Sequence, residues 1–275
     1  DDNIKLKNTI VTIGKFDGIH KGHEKLLEVI VNNANGRQKV VLTFETTPSA
    51  FLNNNANKTI VTEEEKQILC EQQGVDVYMK MQMIEQLTDQ LRVERPDEFV
   101  SKILKDKIGA TTIVCGPDFH FGTKASGNVK FLKDNQKKYG YNLIVVEKEQ
   151  YHNKDISSTS IRKKITEGKM QDVNEMLGHP YRIIGKVEQG KHLGRTIGLP
   201  TANIIPDETK LLPPNGVYRT VVVVEGQTFN AISNVGVNPT VETGTKIKVE
   251  THIIDYENYI YNEIVQVQFY DFIRP

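Results

Sequence analysis

What this chain lacks narrows its role before any motif is read. It has no excess charge of either sign, since 35 lysines and arginines balance 35 aspartates and glutamates. No global field would therefore draw it to nucleic acid or to an anionic membrane. Two cysteines, Cys70 and Cys115, are too few for a disulfide framework or a cysteine metal site. A reducing cytoplasm is the expected compartment. No apolar run is long enough to cross a bilayer, and no signal-peptide pattern opens the chain. Repeats and low-complexity tracts are missing as well. A length of 275 residues nevertheless allows two ordinary domains with real cores. These absences point to small-molecule partners held by local charges, and the composition sets no oligomeric state.

What is present starts with residues 11–23, which read VTIGKFDGIHKGH. The apolar run 10–13 predicts a buried strand, Gly14 to Gly18 a turn through Phe16 and Asp17, and 24–34 a helix with Leu26, Leu27, Ile30 and Val31 at helical spacing. His20 and His23 then share one face of the helix start. Gly22 between them keeps the backbone bare where a ligand would approach. A helix start offers unpaired N–H groups and a positive dipole end, which suit phosphate. Two imidazoles there can donate to a phosphate whose charge grows in a transition state. A metal is the competing reading, but no cluster of Cys, His or acids nearby completes a ligand set.

Along the first half, strands and helices alternate: strands near 39–44, 75–79, 111–115 and 143–146, and helices after Thr62, over 97–107 and over 128–139. Thr62 with Glu65 predicts a capping box. The alternation predicts an α/β fold with a doubly wound parallel sheet, whose ligands sit beyond the carboxyl ends of the strands. Two more segments follow strands. Residues 116–122, GPDFHFG, make a turn with two phenylalanines, and 156–162, ISSTSIR, open a helix with Ser157 or Ser158 as N-cap. Hydroxyls and Arg162 at a helix start suit a polyphosphate.

After Gly178-His179-Pro180 the pattern changes to Val- and Ile-rich runs at 182–188, 217–225, 228–235, 246–255 and 263–269. These predict a small antiparallel β-barrel. The boundaries expected are 1–178 and 181–275. Residues 190–203, GKHLGRTIGLPTAN, form a Gly-rich loop that lacks the Gly-Lys-Ser/Thr ending of a P-loop. Glu250 lies in a predicted strand.

Taken together these motifs resemble those of the bacterial bifunctional FAD synthetases, riboflavin kinase and FMN adenylyltransferase in one chain. Residues 11–23 match the HxGH nucleotidyltransferase signature, which implies that His20 and His23 are catalytic and that Gly14, Phe16, Asp17, Gly18 and Gly22 bind ATP. The GPDFHFG segment matches the flap over nucleotide and flavin, with Asp118 and Phe119 as flavin contacts and His120 where relatives carry a basic residue. ISSTSIR matches the element in which Ser158, Thr159 and Arg162 hold ATP phosphates. In the second half the resemblance makes Gly194, Thr201 and Asn203 the kinase ATP and Mg²⁺ site, with Thr201 and Asn203 at the metal. NVGVNPT, 234–240, matches a further family segment, and Glu250 is the implied catalytic base. His192 and His252 are read as bystanders. The implied activities are adenylyl transfer from ATP to FMN, giving FAD and pyrophosphate, and phosphorylation of riboflavin to FMN. The alternative is an FMN adenylyltransferase whose barrel only binds flavin or aids assembly. Relatives continue after the last barrel strand into a helix, so the second domain is expected to be cut short at its C-terminus.

Overall fold

The computed structural model describes residues 5–45, 58–82, 95–122, 125–188, 201–237, 247–256, 258 and 260–275. Compactness divides the chain into two units, 1–57 with 66–156 and 58–65 with 157–275.

The first unit is an α/β sheet. Its elements are β1 (Thr9–Ile13), α1 (Lys21–Asn32), β2 (Gln38–Glu45), α2 (Glu63–Gln72, whose first residues belong to the second unit), β3 (Val77–Gln82), α3 (Pro96–Glu98 running on into Phe99–Lys107) and β4 (Ala110–Cys115). A hairpin of β5 (His120–Phe121) and β6 (Gly127–Asn128) follows, then α4 (Val129–Asp134), α5 (Gln136–Tyr139), β7 (Asn142–Val145) and the hairpin β8 (Gln150–Tyr151) with β9 (Lys154–Asp155). The five-stranded sheet has the order β3-β2-β1-β4-β7, and each neighbouring pair is parallel. The chain winds outward from β1 in one direction and from β4 in the other, so the switch point lies between them. Val11, Ile13, Val40, Leu42, Ala110, Ile113 and Cys115 are the buried residues that the sheet gives to this core cluster.

Two predicted helices differ in detail. Over 97–107 the turns widen into a π-helix from Phe99, closed by Ile108 N–H donating to Ile103 O at 2.9 Å. Val100, Leu104 and Ile108 are all buried in the core. The expected single helix over 128–139 breaks at Asn135 into α4 and α5, and Gly140 (φ 64°) ends it in the left-handed region. The predicted capping box exists: Glu65 Oε2 accepts from Thr62 N–H at 2.8 Å and Thr62 Oγ1 from Glu65 N–H at 3.2 Å.

The second unit holds α6 (Ser158–Thr166), α7 (Met170–Leu177) and a closed barrel. Its strands are β10 (Tyr181–Glu188), β11 (Thr201–Ile204), β12 (Gly216–Val224), β13 (Gln227–Val237), β14 (Ile247–Ile253) and β15 (Ile264–Arg274). They close in the order β10-β11-β14-β13-β12-β15, and every neighbouring pair is antiparallel. The run 190–203 reads wholly as a loop, but Thr201 begins β11. The short run Thr-Ala-Asn-Ile carries too little strand pattern by itself, and pairing to β10 and β14 supplies what the run lacks. Inside the barrel Tyr218 and Phe269 pack edge to face, 5.3 Å between centroids. Three buried hydroxyls link up, Thr220 to Ser233 and Ser233 to Thr251, each at 2.8 Å. Asn174 of α7 ties that helix to the barrel, donating to Phe269 O at 2.8 Å and accepting from Tyr181 N–H at 2.7 Å.

Candidate active sites

In the first unit the chain leaves β1 through a strained turn. Phe16 (φ 49°) and Ile19 (φ 43°) both occupy the left-handed region beside Gly18 (φ 99°), although both side chains are fully buried. A β-branched residue held there is uncommon and marks a turn fixed by its surroundings. The Phe16 ring lies against Gly14, where a Cβ would meet it at 3.3 Å, and is tilted against His23 with centroids 5.0 Å apart. Asp17 is buried in the same turn.

His20 caps α1. Its Nδ1 accepts from His23 N–H at 3.4 Å, so in the neutral ring the proton sits on Nε2, which becomes a donor. The two imidazoles stack at 3.7 Å with 17° between planes. A Cβ on Gly22 would lie 3.2 Å from His20 Cε1 and 3.3 Å from its Nδ1, so glycine leaves the space in which the His20 ring stands. Burial pulls the His20 pKa down from 6.5 to about 4, with its own backbone bond opposing. Burial, then the charge of His20, then that of Lys66 hold His23 well below the ordinary value. Both rings are thus neutral at pH 7 until an anion arrives to favour the charged form. Nδ1 of His23 is buried without a hydrogen-bond partner among the described residues.

Lys66, near the start of α2, is buried in this unit, and its charge is felt at His23. Sequence reasoning passed over it, because one lysine after Glu63-Glu64-Glu65 reads as part of a solvated helix face. A buried cation beside the histidines is visible only in three dimensions.

The flap segment forms the β5–β6 hairpin. Phe119 stacks on Phe121 at 5.4 Å, and Phe121 packs on Phe99 and Phe131. Asp118 is ion-paired with Lys148 at 3.0 Å, and Lys148 also reaches Asp155 at 3.4 Å. His120 Nδ1 lies 2.7 Å from Asp118 O.

The ISSTSIR segment opens α6 in the second unit. Ser157 is the N-cap: its Oγ accepts from Ser160 N–H at 3.2 Å, and Ser160 Oγ accepts from Ser157 N–H at 3.1 Å. Ser158 and Thr159 occupy the first turn. Ile161 and Ile165 are the buried face, and Arg162 Nε donates to Lys58 O at 3.4 Å.

On the barrel, strand register brings together residues far apart in sequence. Asn203 of β11 stands opposite Glu250 of β14, and Thr201 opposite His252. Across the other edge of β14, Glu250 faces Asn234 of β13. In β14 Val249, Thr251 and Ile253 are buried while Glu250 and His252 are half-exposed, so the carboxylate stands on the opposite face of the strand from the hydroxyl chain. Asn234, part of the NVGVNPT segment, was not given a role from sequence; its place beside Glu250 emerges from pairing alone. Gly194 and most of the Gly-rich loop lie outside the described residues. Neutral oxygens at Thr201 and Asn203, two apart on one strand, suit a hard cation that keeps waters and phosphate oxygens. Among the described residues no group of three or more His, Cys, Asp or Glu forms a metal cluster, and no helix is long and apolar enough to cross a membrane.

Comparison with known proteins gives two domain matches, FAD synthetase over residues 2–160 and riboflavin kinase over 177–275. A bifunctional riboflavin kinase/FMN adenylyltransferase of Listeria monocytogenes is 33% identical over 275 residues, covering 98% of this chain and 85% of that one. The Haemophilus influenzae protein of the same name is 34% identical, covering 99% and 88%. The one from Escherichia coli K12 is 30% identical, covering 94% and 82%. A solved Streptococcus pneumoniae structure described as a macrolide-efflux protein superposes with TM-score 0.84 at 31% identity, covering 99% of this chain and 88% of that one.

Proposed function

The chain belongs to the bifunctional riboflavin kinase/FMN adenylyltransferase family, and from that premise we propose which residues carry its two reactions. The N-terminal half transfers the adenylyl group of ATP to FMN, giving FAD and pyrophosphate. The C-terminal half phosphorylates riboflavin to FMN. The chain thus makes FAD from riboflavin in two steps, and a barrel that is merely a flavin-holding module is not favoured.

In the first reaction a phosphate oxygen of FMN attacks the α-phosphorus of ATP in line while the bond to the β-phosphate oxygen breaks. Charge grows on the equatorial oxygens, and preorganised donors there lower the barrier. His20 through Nε2–H and His23 are the assigned donors. Because both rings rest neutral, neither repels the other before ATP binds. Gly14, Phe16, Asp17, Gly18 and Gly22 shape the turn that receives the nucleotide. Ser158, Thr159 and Arg162 hold the leaving pyrophosphate, and Asp118 and Phe119 line the flavin. In the second reaction Glu250 accepts the proton of the riboflavin primary hydroxyl as that hydroxyl oxygen attacks the γ-phosphorus of ATP, and the bond from the γ-phosphorus to the bridging oxygen breaks to release ADP. Asn203 stands opposite it in register, with Thr201 two residues away. Thr201 and Asn203 would hold Mg²⁺, which when bound offsets phosphate charge; Gly194 belongs to the ATP loop. Functionally the boundary stays at 178 and 181, the working compartment is the cytoplasm, and neither nucleic acid nor membrane is a partner.

The observation that carries the adenylyl-transfer reading is the stacked, neutral His20–His23 pair at the start of α1, just beyond β1. Chromatography of reactions with ATP and Mg²⁺ tests both halves. FMN and then FAD should accumulate from riboflavin, and FAD alone from FMN. Transfer to nicotinamide mononucleotide or phosphopantetheine in preference to FMN would overturn it.

A further inference from the structure

Residues 58–65 come from the first half of the sequence yet pack as part of the barrel unit. Thr59 N–H donates to Thr209 O at 2.7 Å, and Leu211 N–H donates to Thr59 O at 2.8 Å. Thr59 and Lys210 form a lone parallel bridge, and Ile60 and Val61 are buried. This strap ends in Glu65. The Glu65 and Lys210 side chains are each 1% exposed and form an ion pair. Glu65 also closes the capping box with Thr62, and its charge reaches the half-buried Arg182 of β10. An ion pair so completely withdrawn from water holds its geometry, since loss of either partner strands the other charge. At its other end the strap offers Lys58 O to Nε of Arg162.

We propose that Lys210 is a positioning residue for adenylyl transfer. By holding Glu65 it fixes the strap, and the strap's Lys58 carbonyl sets the direction of the Arg162 guanidinium. A residue of the kinase half thereby serves the reaction of the other half. The inference rests on the assignment of Arg162 to the ATP phosphates. Its physical basis is that phosphate recognition by arginine uses a planar fork. A fork oriented in advance loses less freedom on binding than one on a free side chain.

The test uses the full chain, with FAD formation from FMN followed at varied ATP. Lys210→Met keeps the stem and removes the charge. It should raise KM for ATP by roughly tenfold with KM for FMN little changed, and Lys210→Arg should restore most of the loss. In an Arg162→Lys background, itself with a raised KM for ATP, the further effect of Lys210→Met should vanish, because both act through one group. A merely structural Lys210 would lower kcat of both reactions together and leave KM for ATP alone. Should Lys210→Met fail to fold, Glu65→Gln with Lys210→Met removes both charges, and it should keep the thermal midpoint while raising KM for ATP severalfold. An unchanged KM for ATP in whichever variant folds, while Arg162→Lys raises it, overturns the proposal, and so does failure of both variants to fold. An unaffected Arg162→Lys enzyme would instead remove the Arg162 assignment, and the inference with it.

Discussion

The two candidate sites are built on opposite plans. That of the first unit is a single backbone turn: β1 ends, Phe16 and Ile19 take left-handed conformations, and His20 caps α1, so four consecutive residues deliver both histidines and the glycine between them. The barrel site is a row across strands, Asn203–Glu250–Asn234, with each member supplied by a different strand. A turn fixes its side chains through dihedral angles and local crowding; a row fixes them through register, which a one-residue slip would reverse. The first plan should therefore be sensitive to small changes of volume nearby, and the second to the chemistry of one group.

The sharpest separation is expected from Glu250→Gln. The amide cannot accept the hydroxyl proton, so FMN formation from riboflavin should fall by roughly 10²-fold to 10⁴-fold. FAD formation from supplied FMN should stay within twofold of normal, since Glu250 has no assigned role in adenylyl transfer. A matching loss of FAD synthesis would mean that the two sites are not independent.

His23→Ala is the mirror experiment. Losing one preorganised donor should slow FAD formation from FMN by about 10²-fold with riboflavin phosphorylation intact. FMN should still bind, as equilibrium titration of flavin fluorescence would show. Near-normal turnover would make the His pair an ornament of the fold.

A smaller effect isolates volume from chemistry. The backbone at Gly22 is helical and accepts alanine, but the new methyl would press on the His20 ring at 3.2 Å. Gly22→Ala should cost roughly tenfold in adenylyl transfer, and the thermal midpoint should hold or rise slightly through better helix propensity. An unaltered kcat would show that the ring's place is not critical.

The smallest effect is on acid stability. Unfolded His20 takes up a proton near 6.5, whereas the folded ring does so only near 4. The unfolded chain therefore binds more protons in that interval, and stability rises with pH across it. The contribution is complete above about 6.5 and is lost as pH falls toward 4. Thermal melts of His20→Asn between pH 7 and pH 4.5 should show a shallower decline than the parent. Equal slopes would mean that His20 is not held neutral by the fold.

Strong local signals were legible without coordinates. The alternation of the first half, the Thr62–Glu65 capping box, the strand–turn–helix around His20 and His23 and most barrel strands all leave a residue pattern within one short stretch of chain. Where the sequence misled, distant packing had taken over. Thr201–Ile204 becomes a strand through β10 and β14, and the helix after Pro96 widens into π turns from Phe99. Lys66 turns from an ordinary helix charge into a buried cation beside His23.

By itself the sequence determined the first site's local chemistry, because His20, His23, the turn that presents them and the glycine that spares them room are written in contiguous residues. Tertiary structure alone decided which remote groups meet. It set Glu250 against Asn203, joined Glu65 to Lys210 across 145 residues of chain, and made the two histidines neutral by withdrawing them from water. Register, burial and desolvation belong to pairs and surroundings, and no single stretch of chain contains them.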